Sequence, residues 1–250
     1  MCHDVGGLMR GGWCCGLVLG ALLWGQHTEA AINLLRTRLI YEGGGEASLM
    51  VHNGGAEPSL LQAWVDGGDE HQGPAEVSTP FLVVPPMMRL GPDKGQTLRI
   101  LGADLNQLPK DRESLFWLNV LGLPPKASSS EASVQLAYRT RIKLFYRPTG
   151  LQGSVAEAVT RLRWQAQTQG LSVSNPSPFH ISLSEVLLEA GIKKVSWQQG
   201  GLIPPYGMLQ IPIQVVETAA NKGRFRWIDD DGNYHEQGLV LGRQGGNTHD

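Results

Sequence analysis

Residues Leu108–Pro125 read LPKDRESLFWLNVLGLPP. The stretch opens as a polar turn, passes through Glu113, and runs into an apolar strand, Leu115 to Leu123, closed by Pro124-Pro125. The same grammar extends outward on both sides. Toward the N-terminus, Leu34 to Tyr41, Ala47 to Asn53, Ser59 to Val65 and Thr97 to Leu101 are short β-rich runs. They are separated by clusters such as Glu42-Gly43-Gly44-Gly45 and Asn53-Gly54-Gly55, which favour turns. Toward the C-terminus comes a longer run, Ala132 to Tyr146. After Pro148-Thr149-Gly150 follow Arg161 to Ala166, Leu171 to Asn175, Phe179 to Leu188, Gly207 to Val216, Gly223 to Ile228 and Gln237 to Leu241. Val186 to Ala190 is too brief to count as a helix. Many short strands with no intervening helix predict an all-β chain of two antiparallel, immunoglobulin-like sandwiches. The boundary falls near Arg147 to Gly153.

Composition agrees. The chain has 250 residues, 41% apolar, with a formal charge of −2. That is enough apolar chain for real cores, and it carries no basic footprint of nucleic-acid binding. The N-terminus reads as a secretory signal: Arg10, an apolar stretch from Trp13 to Trp24, the polar Gln26 to Glu29, then Ala30-Ala31, with cleavage expected near Ala30. Cys2, Cys14 and Cys15 all fall inside it, so the mature chain is expected to lack disulfides, Cys metal sites and Cys nucleophiles.

Catalytic patterns are missing from the sequence. It contains neither a G-x-S-x-G elbow nor an H-E-x-x-H pair. Gly91 to Thr97 lacks the G-K-[ST] ending of a phosphate loop and reads as a turn. The histidines of the expected mature chain, His52, His71, His180, His235 and His249, show no ligand spacing and are expected to be ordinary surface or structural residues, and Asp229-Asp230-Asp231-Gly232-Asn233 reads as a hairpin turn rather than a calcium loop. The expectation is no enzyme, no metal, no cofactor and no small-molecule substrate.

In the long run, Val134, Leu136 and Tyr138 alternate with Ser133, Gln135, Ala137 and Arg139, so one face is apolar at every second position. Alternation alone leaves open whether these three fill their own core or face outward.

The Leu108–Pro125 stretch resembles, along its whole length, the signature of the periplasmic pilus chaperone family. Arg141 to Pro148 resembles the end of that family's last first-domain strand, and Asn33 to Tyr41, with Arg36-Thr37-Arg38, its first strand. The resemblance implies two immunoglobulin-like sandwiches around an interdomain cleft: residues 1–30 as signal peptide, 31–148 as the subunit-binding domain and 149–250 as the second domain. It implies an ATP-independent chaperone of the periplasm that captures pilus subunits by donating a strand and delivers them to an outer-membrane usher. Val134, Leu136 and Tyr138 would then face outward to fill the subunit's groove. Arg38 and Lys143 would hold the subunit's terminal carboxylate, and Glu113, Arg147 and Asp230 would form an interdomain ion-pair network. Lys143 has the opposite parity to Val134, so a bend near the cleft is expected if both serve one subunit. The alternative is a secreted two-domain adhesin or fibre subunit. Such a subunit would need an N-terminal donor extension, and Ala31 stands only a few residues before the first expected strand.

Overall fold

The computed structural model describes residues 32–125, 135–167, 170–190, 193–213 and 222–242. In chain order the first half holds β1 (Ile32–Leu34), β2 (Arg38–Glu42), β3 (Ala47–Asn53), β4 (Ser59–Asp66), β5 (Phe81–Val84), β6 (Met87–Leu90), β7 (Lys94–Gly102), β8 (Ser114–Leu123) and β9 (Tyr138–Arg147). The second half holds α1 (Val155–Thr160), β10 (Arg163–Gln167), β11 (Gly170–Ser174), β12 (Ile181–Ala190), β13 (Lys193–Trp197), β14 (Gly201–Ile203), β15 (Met208–Ile211), β16 (Lys222–Ile228) and β17 (Tyr234–Gly242).

Period-two alternation builds the first sandwich. Along β3, Leu49 and Val51 are fully buried while Met50 between them is 42% exposed. Sheet β1-β3-β7-β5 presents these residues with Leu98 and Ile100 to sheet β2-β9-β8-β4-β6, which answers with Leu61, Leu118 and Leu144. Each such side chain contributes about 1.5–3 kcal/mol by leaving water. In the second half one sheet, β13-β12-β16-β17-β10-β11-β15 with β14 on β12, closes over a core containing Leu171, Ile181, Ile203, Ile211 and Phe225.

Several expectations need correction. The run Leu34 to Tyr41 is two strands. β1 pairs β3 in one sheet, and β2 pairs β9 in the other, so the chain changes sheets through residues 35–37. The pairing is not purely antiparallel: β2 runs parallel to β9, and β10 parallel to β17. Around Pro85-Pro86, where no strand was expected, stand β5 and β6. Both lie at sheet edges, where a missing N–H breaks no ladder. Strands β13 and β14 were also unforeseen. A helix does intervene: Ser154 caps α1 by accepting from the Glu157 N–H at 3.2 Å, and Val155, Ala158 and Val159 are buried. The hairpin reading of Asp229–Asn233 agrees with the structure, since β16 and β17 pair up to Ile228↔Tyr234.

Candidate functional site

Strand β9 pairs with β8 over its length, from Gly122↔Tyr138 to Ser114↔Tyr146. On its other edge β2 covers only Lys143 to Arg147. Among the described residues, Tyr138–Ile142 therefore present an open edge. The ladder ends at Tyr138 because β8 ends at Leu123 and Pro124; residues 135–137 are described but lie outside the strand. The strand is thus shorter than the expected run from Ala132. Ile142, Leu144 and Tyr146 point into the sandwich core. Leu136 and Tyr138 share their parity, yet stand 58% and 50% exposed beyond that core. Val134 lies outside the described residues.

The opposite parity carries Arg139, Arg141 and Lys143, paired with Leu121, Asn119 and Trp117 of β8. The register is unbroken, so no bend is needed: Lys143 belongs to the outer face of the sheet, and that face turns toward the second half. Lys143 lines an open cleft of about 510 Å3 with Trp117, Ser182, Gln198 and Ile228. Its ammonium sits 5.2 Å from the Trp117 ring centre and makes no ion pair among the described residues. Arg38 is its direct neighbour in the parallel ladder. Arg38 Nη1 donates to Ser182 Oγ at 3.2 Å and to the Ile228 carbonyl at 3.1 Å, which ties β2 to the second half. Its Nε is buried and unpaired among the described residues. Burial lowers the pKa of Lys143, and the Arg38 charge beside it adds to the shift. Burial likewise lowers that of Arg38, against the opposing pull of Asp230 and Asp229. Two desolvated cations side by side, one with an orphan donor, concentrate positive charge that an anionic group could neutralise.

Glu113, Arg147 and Asp230 are brought together where the halves meet. Arg147 Nε donates to Glu113 Oε1 at 2.7 Å, and its two terminal nitrogens fork onto Asp230 at 2.8 and 3.1 Å. Glu113 is buried, and its Oε2 accepts from the His180 backbone N–H at 2.7 Å. Burial pushes the Arg147 pKa down, but its bonds to Asp230 and Glu113 outweigh that and leave it raised. The Asp229–Asn233 turn packs here too. Asp229 accepts from the N–H groups of Asp231 and Asn233 and contacts His235 Nε2 at 2.6 Å. Burial raises its pKa, yet these bonds win and lower it to about 2. So His180 and His235, expected to be ordinary surface or structural residues, both serve this junction; His249 lies outside the described residues. Among the described residues no group of His, Cys, Asp and Glu suits a metal. No described helix is long and apolar enough to cross a membrane.

One cluster had no sequence signal. Asp66 of β4 is fully buried on the outer face of the sheet. It accepts from Asn119 Nδ2 at 2.7 Å, from the Gly68 N–H at 2.7 Å and from Arg141 Nη2 at 2.5 Å. Burial pushes its carboxyl up, but these bonds and the Arg141 charge hold the pKa below its usual value. Arg139 bonds Asn119 Oδ1 at 2.9 Å and lies over Trp64, as Arg141 lies over Trp117. Only strand register makes neighbours of residues so far apart in the chain.

Comparison with known proteins places this geometry. Residues 31–152 match the family model described as "Pili and flagellar-assembly chaperone, PapD N-terminal domain", and residues 157–238 match "Pili assembly chaperone PapD, C-terminal domain". The chain is 44% identical to the chaperone protein FimB/FhaD of Bordetella pertussis over 65% of this chain and 69% of that one. It is 37% identical to the probable fimbrial chaperone LpfB of Escherichia coli over 88% of this chain and 92% of that one. Among solved structures, the Salmonella enterica SafA pilin in complex with the SafB chaperone matches with a TM-score of 0.72 at 29% identity, covering 84% of this chain and 96% of that one. Both sandwiches are of the immunoglobulin-like, PapD-like kind, and the adhesin alternative is not favoured. The chain belongs to the PapD-like family of pilus-assembly chaperones, whose members assist folding and assembly and are not enzymes.

Proposed function

We propose that this chain is a periplasmic chaperone that captures pilus subunits on the open edge of β9 and passes them to an outer-membrane usher. The observation that carries the reading is the half-covered strand: among the described residues, Tyr138–Ile142 lack a neighbour just where β2 stops, beside Arg38 and Lys143. A pilin strand taking that vacant edge can run either way. Running parallel to β9, as β2 does, it ends head-on against Arg38 and brings its C-terminal carboxylate to the two cations. Running the other way, it would bring an amino terminus or chain interior to a doubly positive site. Electrostatics selects the parallel strand.

Parity then assigns the apolar row. Leu136 and Tyr138 share the parity of the row that fills this chain's own core, and Val134 stands two positions earlier in the sequence; on the added strand's side these three are read as filling the core of a sandwich short of one strand. Three such side chains contribute about 1.5–3 kcal/mol each before ordering costs. Capture needs no ATP, cofactor or small-molecule substrate, because the subunit gains its missing strand and core by binding. A pilin bound to the related SafB chaperone supports a pilus subunit as the partner. Residues 1–30 serve as signal peptide with cleavage near Ala30, 31–148 as the subunit-binding domain and 149–250 as the second domain. Glu113, Arg147 and Asp230 fix the angle of the cleft between them.

The test is capture. Tagged protein isolated from the periplasm of a piliated Gram-negative host is expected to bring down a small sandwich-type pilin, identified by mass spectrometry. Amide exchange at Tyr138–Ile142 should slow in that complex. A preparation without such a pilin, or with exchange at this segment unchanged, would overturn the reading.

A further inference from the structure

Asp66 is a fully buried carboxylate that neither the Arg38–Lys143 pair nor the interdomain network uses. Burying such a charge is costly even when it is paired, and an apolar side chain would fill the space at less cost. Its partners show what the charge holds. Arg139 and Arg141 stand on the outer face of β9, inside the half, Tyr138–Ile142, that lacks β2 as a neighbour. Both reach back across β8 to β4. Arg141 forks onto Asp66 from Nε at 3.2 Å and Nη2 at 2.5 Å, stacked 4.3 Å from the Trp117 ring centre. Arg139 donates to Asn119 Oδ1 at 2.9 Å and to the Glu70 carbonyl just beyond β4 at 2.6 Å, over the Trp64 ring. Asn119 closes the network by donating to Asp66 at 2.7 Å. In the half that β2 covers, Lys143 makes no ion pair among the described residues. The side-chain staples fall where the second neighbouring strand is missing.

A strand bonded on one edge alone opens more readily than one bonded on both. We propose that Asp66 is a positioning residue for capture. Through Arg141 directly, and through Asn119 to Arg139, it holds the open half of β9 on β8, so that the free edge is ordered before a strand arrives. The inference rests on the capture reading and deepens it. None of these side chains touches the incoming strand, because both guanidiniums lie over β8 and β4; they act on the state of the edge. An opened edge cannot template a strand, so the apparent affinity falls by the fraction of molecules that are competent. Once the added strand is in place its own ladder bonds hold β9, and the staples matter less.

Asp66→Asn tests this, because it removes the charge and leaves two arginines that are 29% and 18% exposed and so can turn to water. The probe is a peptide of alternating valine and serine with a free C-terminal carboxylate, bound to the mature chain. In the free variant, exchange should quicken about tenfold at those amides of Tyr138–Ile142 that bond β8, and stay within about twofold at Lys143–Arg147. The association rate should fall about three- to tenfold, in step with the competent fraction, while dissociation stays within about twofold of wild type. If Asp66→Asn gives no cooperative melt, Arg139→Gln carries the test. It keeps the Asp66–Arg141 fork and should show the same pattern more weakly, with the faster exchange centred on Tyr138–Thr140. Exchange that quickens evenly along β9, a loss confined to dissociation, or rates equal to wild type would each overturn the inference while leaving capture standing. Binding of the peptide that ignores amidation of its terminus would instead overturn the capture reading, and this inference with it.

Discussion

Arg147→Met tests the junction that sets the cleft. Among the described residues Arg147 is the only cation that Glu113 contacts through its Oε1, at 2.7 Å, and the Glu113 side chain is 1% exposed. Methionine keeps much of the packing over Phe179, where the guanidinium now sits 5.1 Å from the ring centre, and deletes only the charge and its donors. What remains is a buried carboxylate served at Oε2 by the His180 backbone N–H at 2.7 Å, with the His180 ring Nδ1 3.3 Å away. Stranding one member of a buried pair costs about 3–5 kcal/mol. The Asp230 arm, whose carboxylate is 39% exposed, adds at most about 1 kcal/mol. For a chain of this size each kcal/mol lowers Tm by about 2–4 °C, so the fall should be about 6–24 °C by calorimetry. Glu113→Gln added to Arg147→Met removes the stranded charge and should recover part of the loss, giving a coupling of about 0.5–3 kcal/mol in the double-mutant cycle. A fall under about 2 °C, or strict additivity, would refute the claim that these groups form one buried unit.

Three further outcomes follow from the same geometry. Leu136→Asp and Tyr138→Asp should each abolish pilin capture in a pull-down while leaving the melting curve of the free protein within about 2 °C of wild type, since both side chains are at least half exposed; a large fall in Tm would assign them to the chain's own core. Asp229 is lowered from 3.8 to about 2, so its stabilisation is complete above about pH 4 and disappears as the pH falls toward 2. Asp229→Asn should flatten the stability curve in that window, and parallel curves for variant and wild type would contradict the assignment. Gly232 has φ of +94°, and a Cβ there would stand 2.7 Å from Thr37 Oγ1 of the first half; Gly232→Ala should destabilise by about 1–2 kcal/mol in urea titration, and an unchanged midpoint would refute the strain.

Alternation made most core strands legible in the sequence: Ala47 to Asn53 is β3 to the residue, and Leu115 to Leu123 is β8 less one residue. Edges were harder to read. No strand was expected around Pro85-Pro86, where β5 and β6 stand at sheet edges and a missing N–H breaks no ladder. The split of the first strand between two sheets could not be read from Leu34 to Tyr41, because both pieces alternate alike and only their partners differ. The Ser154-x-x-Glu157 cap of α1 was readable and passed over. At the site, parity had already separated Lys143 from the apolar row; the expected bend arose from assuming one face, whereas Lys143 lies on the outer face and Leu136 and Tyr138 share the parity of the inner one. Asp66 and Trp64 were invisible because residues on β4 meet β9 only through the intervening β8.

The central claim is that Arg38 and Lys143 grip a free C-terminal carboxylate at the end of a strand laid parallel on β9. Titration of a peptide from the C-terminus of a pilin, as free acid and as amide, against wild type and Lys143→Ala tests it most directly. Wild type should prefer the acid, and Lys143→Ala should lose most of that preference at a cost of about 2–5 kcal/mol in binding the acid. Arg38→Ala should act alike, with the two losses less than additive because one carboxylate serves both. If wild type binds acid and amide equally, or Lys143→Ala discriminates as well as wild type, the anchor is not this pair and the account fails.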